Sequence, residues 1–252
     1  MSKTLTIIGI GPGEQGFVTP EVSAAIARAT DAVGYIPYIE RLPGHPDLVC
    51  HPSDNRVELD RARHALDLAA AGGDVIVVSS GDPSVFAMSA AVFEAMETPS
   101  DAWGDVEITV LPGITAMLAA SAAIGAPLGH DFCCINLSDN LKPWDIIERR
   151  LRLAARGDFA MAFYNPRSTL RPLGFEKTLQ LLKEECGDNR LVLFARNVSL
   201  PDQTIRVVPL QETTPDMADM RTVVIVGSSK TKTVQHGEKE FVYTPRFYEL
   251  DV

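Results

Sequence analysis

The sequence of 252 residues lacks the features of a membrane-spanning or secreted chain. No run of about eighteen or more residues is purely apolar, as a transmembrane helix requires. Met1 to Ile10 carries only Lys3 and a short apolar run, without the length or the small-residue cleavage pattern of a signal peptide. We therefore expect a cytoplasmic protein that has no membrane partner.

Cysteine and histidine are sparse, and their spacing argues against a metal site. None of the four cysteines forms a C-x-x-C pair, and the adjacent Cys133 and Cys134 would point to opposite faces of a strand. We expect reduced, buried thiols at all four positions. The five histidines include no pair at i, i+4 on one helix, and no Ser-His-Asp or Cys-His arrangement follows from the spacing. The sequence thus predicts no bound metal.

Basic residues are scarce in the first half of the chain. Residues 1–126 contain 6 Lys+Arg and 16 Asp+Glu, whereas the remainder contains 17 of each, so the net charge of −10 lies entirely in the first half. This balance excludes nucleic acid as a partner, because phosphate binding needs a concentrated basic face. The arginines of the second half would attract a polycarboxylate ligand, although from charge alone an ordinary solvated face is the better explanation.

Strand and helix patterns alternate along the chain, which predicts the α/β class with a mainly parallel sheet. Leu5–Ile10 and Asp74–Ser79 are apolar runs typical of strands covered on both faces. Thr19-Pro20-Glu21 has the sequence of a helix start. We place a domain boundary at Ala126-Pro127, which gives an N-terminal α/β domain over 1–126 and a C-terminal α/β domain over 127–252. The tail from Gly227 onward reads as irregular.

Four predicted strands end in unusual loops. In an open parallel sheet the carboxyl ends of the strands bind ligands, and glycine there allows a ligand to approach the backbone closely. Any one of these loops is more often a plain turn, but four together indicate a ligand site. They are Gly9-Ile10-Gly11-Pro12-Gly13, Ser79-Ser80-Gly81-Asp82-Pro83, Leu111-Pro112-Gly113-Ile114-Thr115-Ala116 and Phe163-Tyr164-Asn165-Pro166.

The first loop does not fit two common nucleotide motifs. The third glycine of a Gly-x-Gly-x-x-Gly fingerprint falls on Glu14, whose carboxylate would hinder a pyrophosphate. A Walker loop from Gly11 to Gly16 has Phe17 in place of lysine. Nicotinamide and ATP chemistry are therefore disfavoured.

Taken in order, these loops resemble the tetrapyrrole methyltransferases, also called the uroporphyrin/corrin/diphthine methylases, over essentially the whole chain. Further segments are similar to the branch that methylates a precorrin at carbon 17 and contracts its ring in aerobic cobalamin synthesis. Ser84 departs from that branch, where glycine usually follows Asp-Pro. The segments are Gly34-Tyr35-x-x-Tyr38, Ser79–Met88, Tyr164-Asn165-Pro166-x-Ser168-x-x-Arg171, Gly227-Ser228-Ser229-Lys230-Thr231 and Thr244-Pro245-Arg246.

The resemblance implies two α/β domains with mainly parallel or mixed sheets, a ligand cleft between them, and a homodimer. It implies S-adenosylmethionine as methyl donor, with S-adenosylhomocysteine as product, and a tetrapyrrole substrate with several carboxylates. Donor contacts carried over by position are Pro12, Ser80, Gly81, Asp82, Val85, Thr115, Ala116, Asn165, Asn197 and Val198. The expected substrate contacts are Gly11, Gly13, Tyr38, His45, Arg167 and Arg171.

Methyl transfer from a sulfonium to carbon needs alignment in a water-poor site, and no metal or covalent protein nucleophile. Ring contraction adds proton transfers, for which Asp82, His45, Tyr38 and Arg171 are candidates among which the sequence does not choose. The alternatives are a corrin-ring methylase for another carbon, the cobalt-containing anaerobic counterpart, a nicotinamide-dependent Rossmann-like oxidoreductase and a non-catalytic tetrapyrrole carrier.

Overall fold

The computed structural model describes residues 3–54, 57–98 and 100–247. The chain divides into two compact units, Met1–Thr115 and Ala116–Val252. Both units are α/β, with a parallel sheet in the first and a mixed sheet in the second, as the sequence predicts.

A five-stranded, fully parallel sheet forms the first unit, in the order β3-β2-β4-β1-β5. Its strands are β1 (Thr4–Gly9), β2 (Asp31–Tyr35), β3 (Val49–Ser53), β4 (Asp74–Ser79) and β5 (Glu107–Leu111). Its helices are α1 (Pro20–Arg28), α2 (Ile36–Ile39), α3 (Glu58–Ala70) and α4 (Met88–Met96), with short 3-10 helices at Gln15–Phe17 and Asp101–Trp103.

Helices cover both faces of this sheet, which explains the unbroken apolar runs of β1 and β4. Leu5 and Val77 point into a core shared with α3 and α4, whereas Ile8 and Ile76 point into a core shared with α1. Successive residues of a strand face opposite sides, so a strand covered on both faces is apolar throughout. The predicted start of α1 is also present, because the Thr19 hydroxyl accepts a hydrogen bond from the Val22 amide at 3.3 Å.

The second unit contains a mixed five-stranded sheet in the order β10-β9-β11-β8-β7, in which only β7 and β8 run parallel. Its strands are β6 (Gly125–Ala126), β7 (Phe132–Asn136), β8 (Ala160–Tyr164), β9 (Leu191–Arg196), β10 (Thr204–Pro209), β11 (Thr222–Val226), β12 (Lys232–His236) and β13 (Lys239–Tyr243). Its helices are α5 (Ala116–Ile124), α6 (Trp144–Arg156) and α7 (Gly174–Glu185), with 3-10 helices at Leu210–Glu212 and Pro215–Met217.

The division at 115/116 differs from the boundary expected at Ala126-Pro127. Helix α5 packs on β6, β11 and β13, and β6 pairs with β13 through Gly125 and Val242. These contacts place residues 116–126 in the second unit. A Pro-Gly break in the sequence therefore lies inside a unit here, because β6 is held by a strand more than a hundred residues later.

The tail expected to be irregular forms an antiparallel hairpin of β12 and β13 instead. Gly237, at φ +60°, lies in the turn between these strands. Strand β13 is anchored by its pairing with β6, so this part of the tail is ordered by contacts distant in sequence. Residues 248–252 of the tail lie outside the described residues.

All four cysteines are free thiols, but only Cys186 is fully buried, whereas Cys133 and Cys134 are half-buried. Cys50 is exposed on the edge strand β3, which corrects the expectation of a buried thiol there. Burial raises the pKa of Cys133 to about 11. The pKa of Cys134 is raised to about 12, mainly by burial and also by the neighbouring Cys133. Within the described ranges, every helix is too short or too polar to cross a bilayer.

Replacing Leu151 with Ala should destabilise the second unit by about 2–5 kcal/mol, because this side chain of α6 is fully buried in its core. Leu153→Ala is the matched control on the same helix, since Leu153 is 63% exposed, and it should change stability by no more than about 0.5 kcal/mol. Urea unfolding measures both, and equal losses would contradict this packing of α6.

Candidate ligand-binding site

The loops after β1 and β4 are joined by backbone hydrogen bonds. Gly11 N donates to Gly81 O at 3.2 Å, and Gly81 N donates to Gly11 O at 2.9 Å. The two glycines have φ angles of +67° and +66°, a region that side chains disfavour. Because β4, β1 and β5 are neighbours in a parallel sheet, the loop after β5 lies at the same edge.

Gly9 and Gly113 at this edge lie too close to neighbouring backbone, including that of Gly81, for either to carry a side chain. A Cβ on Gly113 would collide with the carbonyl oxygen of Gly81 and lie 2.6 Å from that of Gly9. A Cβ on Gly9 would lie 2.5 Å from the Gly81 oxygen and 2.7 Å from Cδ of Pro83. The backbones of three predicted ligand loops are thus brought together, as the sequence pattern suggested.

Asp82 holds two of these loops together with its carboxylate. One oxygen accepts from the Gly113 amide at 3.1 Å, and the other accepts from the Ser84 amide at 2.9 Å and the Ser84 hydroxyl at 2.5 Å. The hydroxyl of Ser84, which replaces the glycine usual in similar sequences, therefore adds a bond to Asp82. Three hydrogen-bond donors already contact this carboxylate, so its observed role is structural.

The other predicted residues of the first unit lie on the same loops. Pro12 and Gly13 are half-buried and follow the bridged Gly11. Val85 N donates to Asp82 O at 3.3 Å and closes the turn after β4. The Ser80 hydroxyl lies 3.4 Å from Gly11 O, and Thr115 is buried just after the β5 loop.

Tyr38 and His45 lie on the segment that follows β2. The Tyr38 ring packs edge-on against Tyr35 with 5.2 Å between ring centroids, and burial is the main cause that raises the pKa of Tyr38. Its phenol therefore stays protonated. Nε2 of His45 lies 3.1 Å from Ile26 O, so this nitrogen carries a proton and holds the segment against α1.

In the second unit, two asparagines take left-handed conformations directly after strands. Asn165 follows β8 at φ +52° and donates to the Asn136 side chain at 3.1 Å. Asn197 follows β9 at φ +49° and donates to Asp202 at 2.6 Å. Both strands pair antiparallel with β11, so they end at the same edge of the sheet. Val198 is buried beside Asn197.

The N-terminus of α5 is tied to the end of β8. The Met117 amide donates to the Tyr164 hydroxyl at 2.9 Å, which places the predicted Ala116 close to the residue that precedes Asn165. Three of the predicted donor contacts, Ala116, Asn165 and Asn197, thus lie at strand or helix ends of one unit.

Arg171 lies beside Asn165 with a guanidinium that has only long contacts. Its Nη1 is 3.5 Å from Leu137 O and from Asn165 O, and its Nε is 4.0 Å from Asp139. Three large apolar side chains near Arg171 are exposed: Leu170 and Leu173 are close to it in sequence, and the Met220 sulfur lies 3.6 Å from its Nη2. Hydrogen bonds from Thr214 and from a backbone amide are the main causes that lower the pKa of Asp216, and the charge of Arg167 adds to them.

Sequence reasoning missed Arg41, Asn136 and the hydroxyl of Tyr164. Arg41 donates to Ser80 and to three carbonyls of the first loop. It follows β2 and α2, so the rule that strand ends bear ligand sites would have found it if applied to β2. Among the described residues, no group of three or more His, Cys, Asp or Glu side chains is arranged to hold a metal.

Comparison with known proteins places these loops in a family. The Tetrapyrrole (Corrin/Porphyrin) Methylases match residues 4–214 of the chain. The chain belongs to this family of methylases.

Within the family, the chain is similar to the precorrin-3B C(17)-methyltransferase of Sinorhizobium sp, at 51% identity over 98% of both proteins. It also resembles the crystal structure of the methyltransferase CobJ, with 62% identity, a TM-score of 0.91 and coverage of 96% of this chain and 99% of that one. The fold is shared with uroporphyrin-III C-methyltransferase from Thermus thermophilus complexed with S-adenosylhomocysteine, with 19% identity, a TM-score of 0.67 and coverage of 89% and 97%.

Replacing Gly113 with Ala should destabilise the first unit by about 1–3 kcal/mol, because the added methyl meets rigid backbone oxygens. Gly104→Ala is the control, since its Cβ would have only Asp101 O within 4 Å, at 3.8 Å. Urea unfolding compares the two, and a Gly113→Ala protein as stable as the control would show that the loops are not packed this closely.

Proposed function

We propose that this protein is an S-adenosylmethionine-dependent C-methyltransferase that methylates precorrin-3B at carbon 17 and contracts the ring, in aerobic cobalamin biosynthesis. The observation that carries the proposal is the 51% identity to the Sinorhizobium enzyme, which extends over 98% of both chains. The glycine-lined loops support it, because a methylase of this kind needs a backbone-lined donor site.

The loops at the ends of β1, β4 and β5 fit a nucleoside donor. Gly9 and Gly113 leave no room for side chains and Gly81 has a left-handed φ, so a ligand at this edge would meet backbone groups and the short side chains of Pro12, Ser80 and Val85. The donor supplies an electrophilic methyl group when bound. We propose further contacts to Thr115, Ala116, Asn165, Asn197 and Val198, on the family resemblance.

Positioning is the main task left to the protein in this reaction. Methyl transfer is an in-line displacement at carbon, so the rate depends on how the reacting atoms are aligned. Asp82 and His45 already hold loops in place through their hydrogen bonds. We therefore leave the acid and base of ring contraction unassigned and propose that Gly11, Gly13 and Tyr38 contact the macrocycle.

Arg171 is our principal candidate for binding a carboxylate of the tetrapyrrole. Within the described part of the chain, its N–H groups have only contacts of 3.5 Å or longer to oxygen, so it has capacity for a stronger acceptor. The exposed leucines around it would pack on the apolar part of a macrocycle. Arg167, four residues earlier on the same loop, would bind a second carboxylate.

We also propose a homodimer, on the family resemblance alone, and a cytoplasmic location. Sedimentation at micromolar concentration tests the dimer, and a monomer under these conditions would overturn it.

Turnover tests the proposed function directly. The protein, supplied with precorrin-3B and methyl-labelled S-adenosylmethionine, should yield a labelled product one methyl group heavier, with an absorption spectrum changed by ring contraction. The cobalt-containing counterpart of the substrate serves as the comparison. Absence of label in the tetrapyrrole, or turnover of the cobalt compound alone, would contradict the proposal, and tight binding of a dinucleotide would favour an oxidoreductase.

Arg167→Ala and Arg171→Ala should each raise the KM for the tetrapyrrole by about tenfold or more, because a charge-assisted hydrogen bond contributes about 1.5–3 kcal/mol. The dissociation constant of S-adenosylhomocysteine should stay within about twofold of the wild-type value, since neither arginine is among the residues proposed to contact the methyl donor. Arg149→Ala, at an exposed position on α6, is the control. An unchanged KM in both variants would discard these carboxylate contacts.

A further inference from the structure

Arg41 stands out in the first unit because its guanidinium connects loops that the proposed donor site requires. Its Nη1 donates to the Ser80 hydroxyl at 3.0 Å. Its Nη2 lies 3.2 Å from Ile10 O, 3.0 Å from Gly11 O and 3.4 Å from Gly13 O. One side chain thus holds the turn after β1 and, at the same time, the residue after β4.

The carbonyl of Gly11 is the centre of this arrangement. It accepts from Arg41, from the Gly81 amide at 2.9 Å and from the Ser80 hydroxyl at 3.4 Å. The backbone bonds between the two loops end at Gly11 and Gly81, so the Gly13 carbonyl depends on Arg41 for its contact with the rest of the site.

Packing does not replace these bonds. A pocket of about 230 Å³ lies between the turn and the segment that carries Arg41, lined by Ile10, Gly13, Gln15, Val18, Ile26, Arg41, Leu42 and Pro43. Ile10 and Ile26 are buried in the core beside this space, with Val18 and Leu42 packed against that core, so apolar contact holds the start of the turn but leaves a gap next to Gly13. The hydrogen bonds of Arg41 therefore determine where Gly13 lies.

The acceptors of Arg41 are all neutral. Within the ranges that the structure describes, no carboxylate lies at ion-pair distance from its guanidinium. Burial is the main cause that lowers the pKa of Arg41, but a guanidinium remains charged in proteins. Its planar fork, which presents several donors in fixed directions, is thus the property in use rather than charge alone.

We infer that Arg41 is a positioning residue, which holds the Gly11-Pro12-Gly13 turn and Ser80 in the geometry that binds the methyl donor. The hydrogen bonds of Arg41 to the two loops, called the Arg41 clamp below, do not depend on the proposed function. Their effect on methyl-donor binding does rest on it. Lysine cannot perform this role, because a single ammonium on a flexible stem lacks the planar fork that reaches the Ser80 hydroxyl and three carbonyls together.

The test compares Arg41→Met and Arg41→Lys with wild type, using Arg63→Met on α3 as a matched control. Amide hydrogen exchange without any ligand should speed up at Gly11 and Gly81, whose amides are hydrogen-bonded, in both Arg41 variants and stay unchanged in the control. The dissociation constant of S-adenosylhomocysteine, measured by calorimetry, should rise about tenfold or more in both Arg41 variants, as expected when several hydrogen bonds are lost.

Three results would overturn the inference, and one of them also separates it from the proposed function. Unchanged exchange at these glycines in folded Arg41→Met protein would show that there is no clamp. Wild-type donor affinity in Arg41→Lys would show that charge suffices. Faster exchange in a protein whose wild type does not bind S-adenosylhomocysteine would retain the clamp but refute its role in donor binding, and with it the proposed function.

Discussion

The close approach of three backbones at Gly9, Gly81 and Gly113 is the constraint on which the first unit's site depends. Each lies at or just beyond the end of a neighbouring parallel strand, and a methyl group on Gly9 or Gly113 would collide with a carbonyl oxygen. Side chains are therefore excluded where these three backbones meet. Amide and carbonyl groups are left as the means of holding a ligand, which suits a donor whose recognition is spread over many weak polar contacts.

The hydrogen bonds of the side chains around these backbones hold the loops in place. Asp82 receives three hydrogen bonds and joins the β4 loop to Gly113. Arg41 joins another pair of segments, because its guanidinium donates hydrogen bonds both to the turn after β1 and to Ser80. In the second unit, Asn165 and Asn197 take left-handed conformations that are stabilised by bonds from their own side chains. Such an arrangement favours a reaction whose barrier is lowered by alignment.

Local sequence patterns predicted strands β1 and β4 and the start of helix α1, because burial on two faces and helix capping are determined by neighbouring residues. The apolar runs of β1 and β4 indicate burial on two faces, and Thr19-Pro20 indicates the start of α1, where the Thr19 cap is observed. Contacts distant in sequence explain part of what was missed. The hairpin of β12 and β13 pairs locally around Gly237, but its anchoring to β6 and the place of α5 depend on the pairing of Gly125 with Val242, which no local window contains. Arg41 was missed because it lies in the segment after β2 and α2, outside the four loops that the sequence pattern singled out.

Binding of S-adenosylhomocysteine, followed by amide NMR on labelled protein, tests the central claim most directly. The account predicts that the amide signals of Gly11, Gly13, Gly81 and Gly113 shift in parallel on titration, with one common dissociation constant. Shifts confined to other parts of the chain, with these four signals unmoved at saturation, would contradict it.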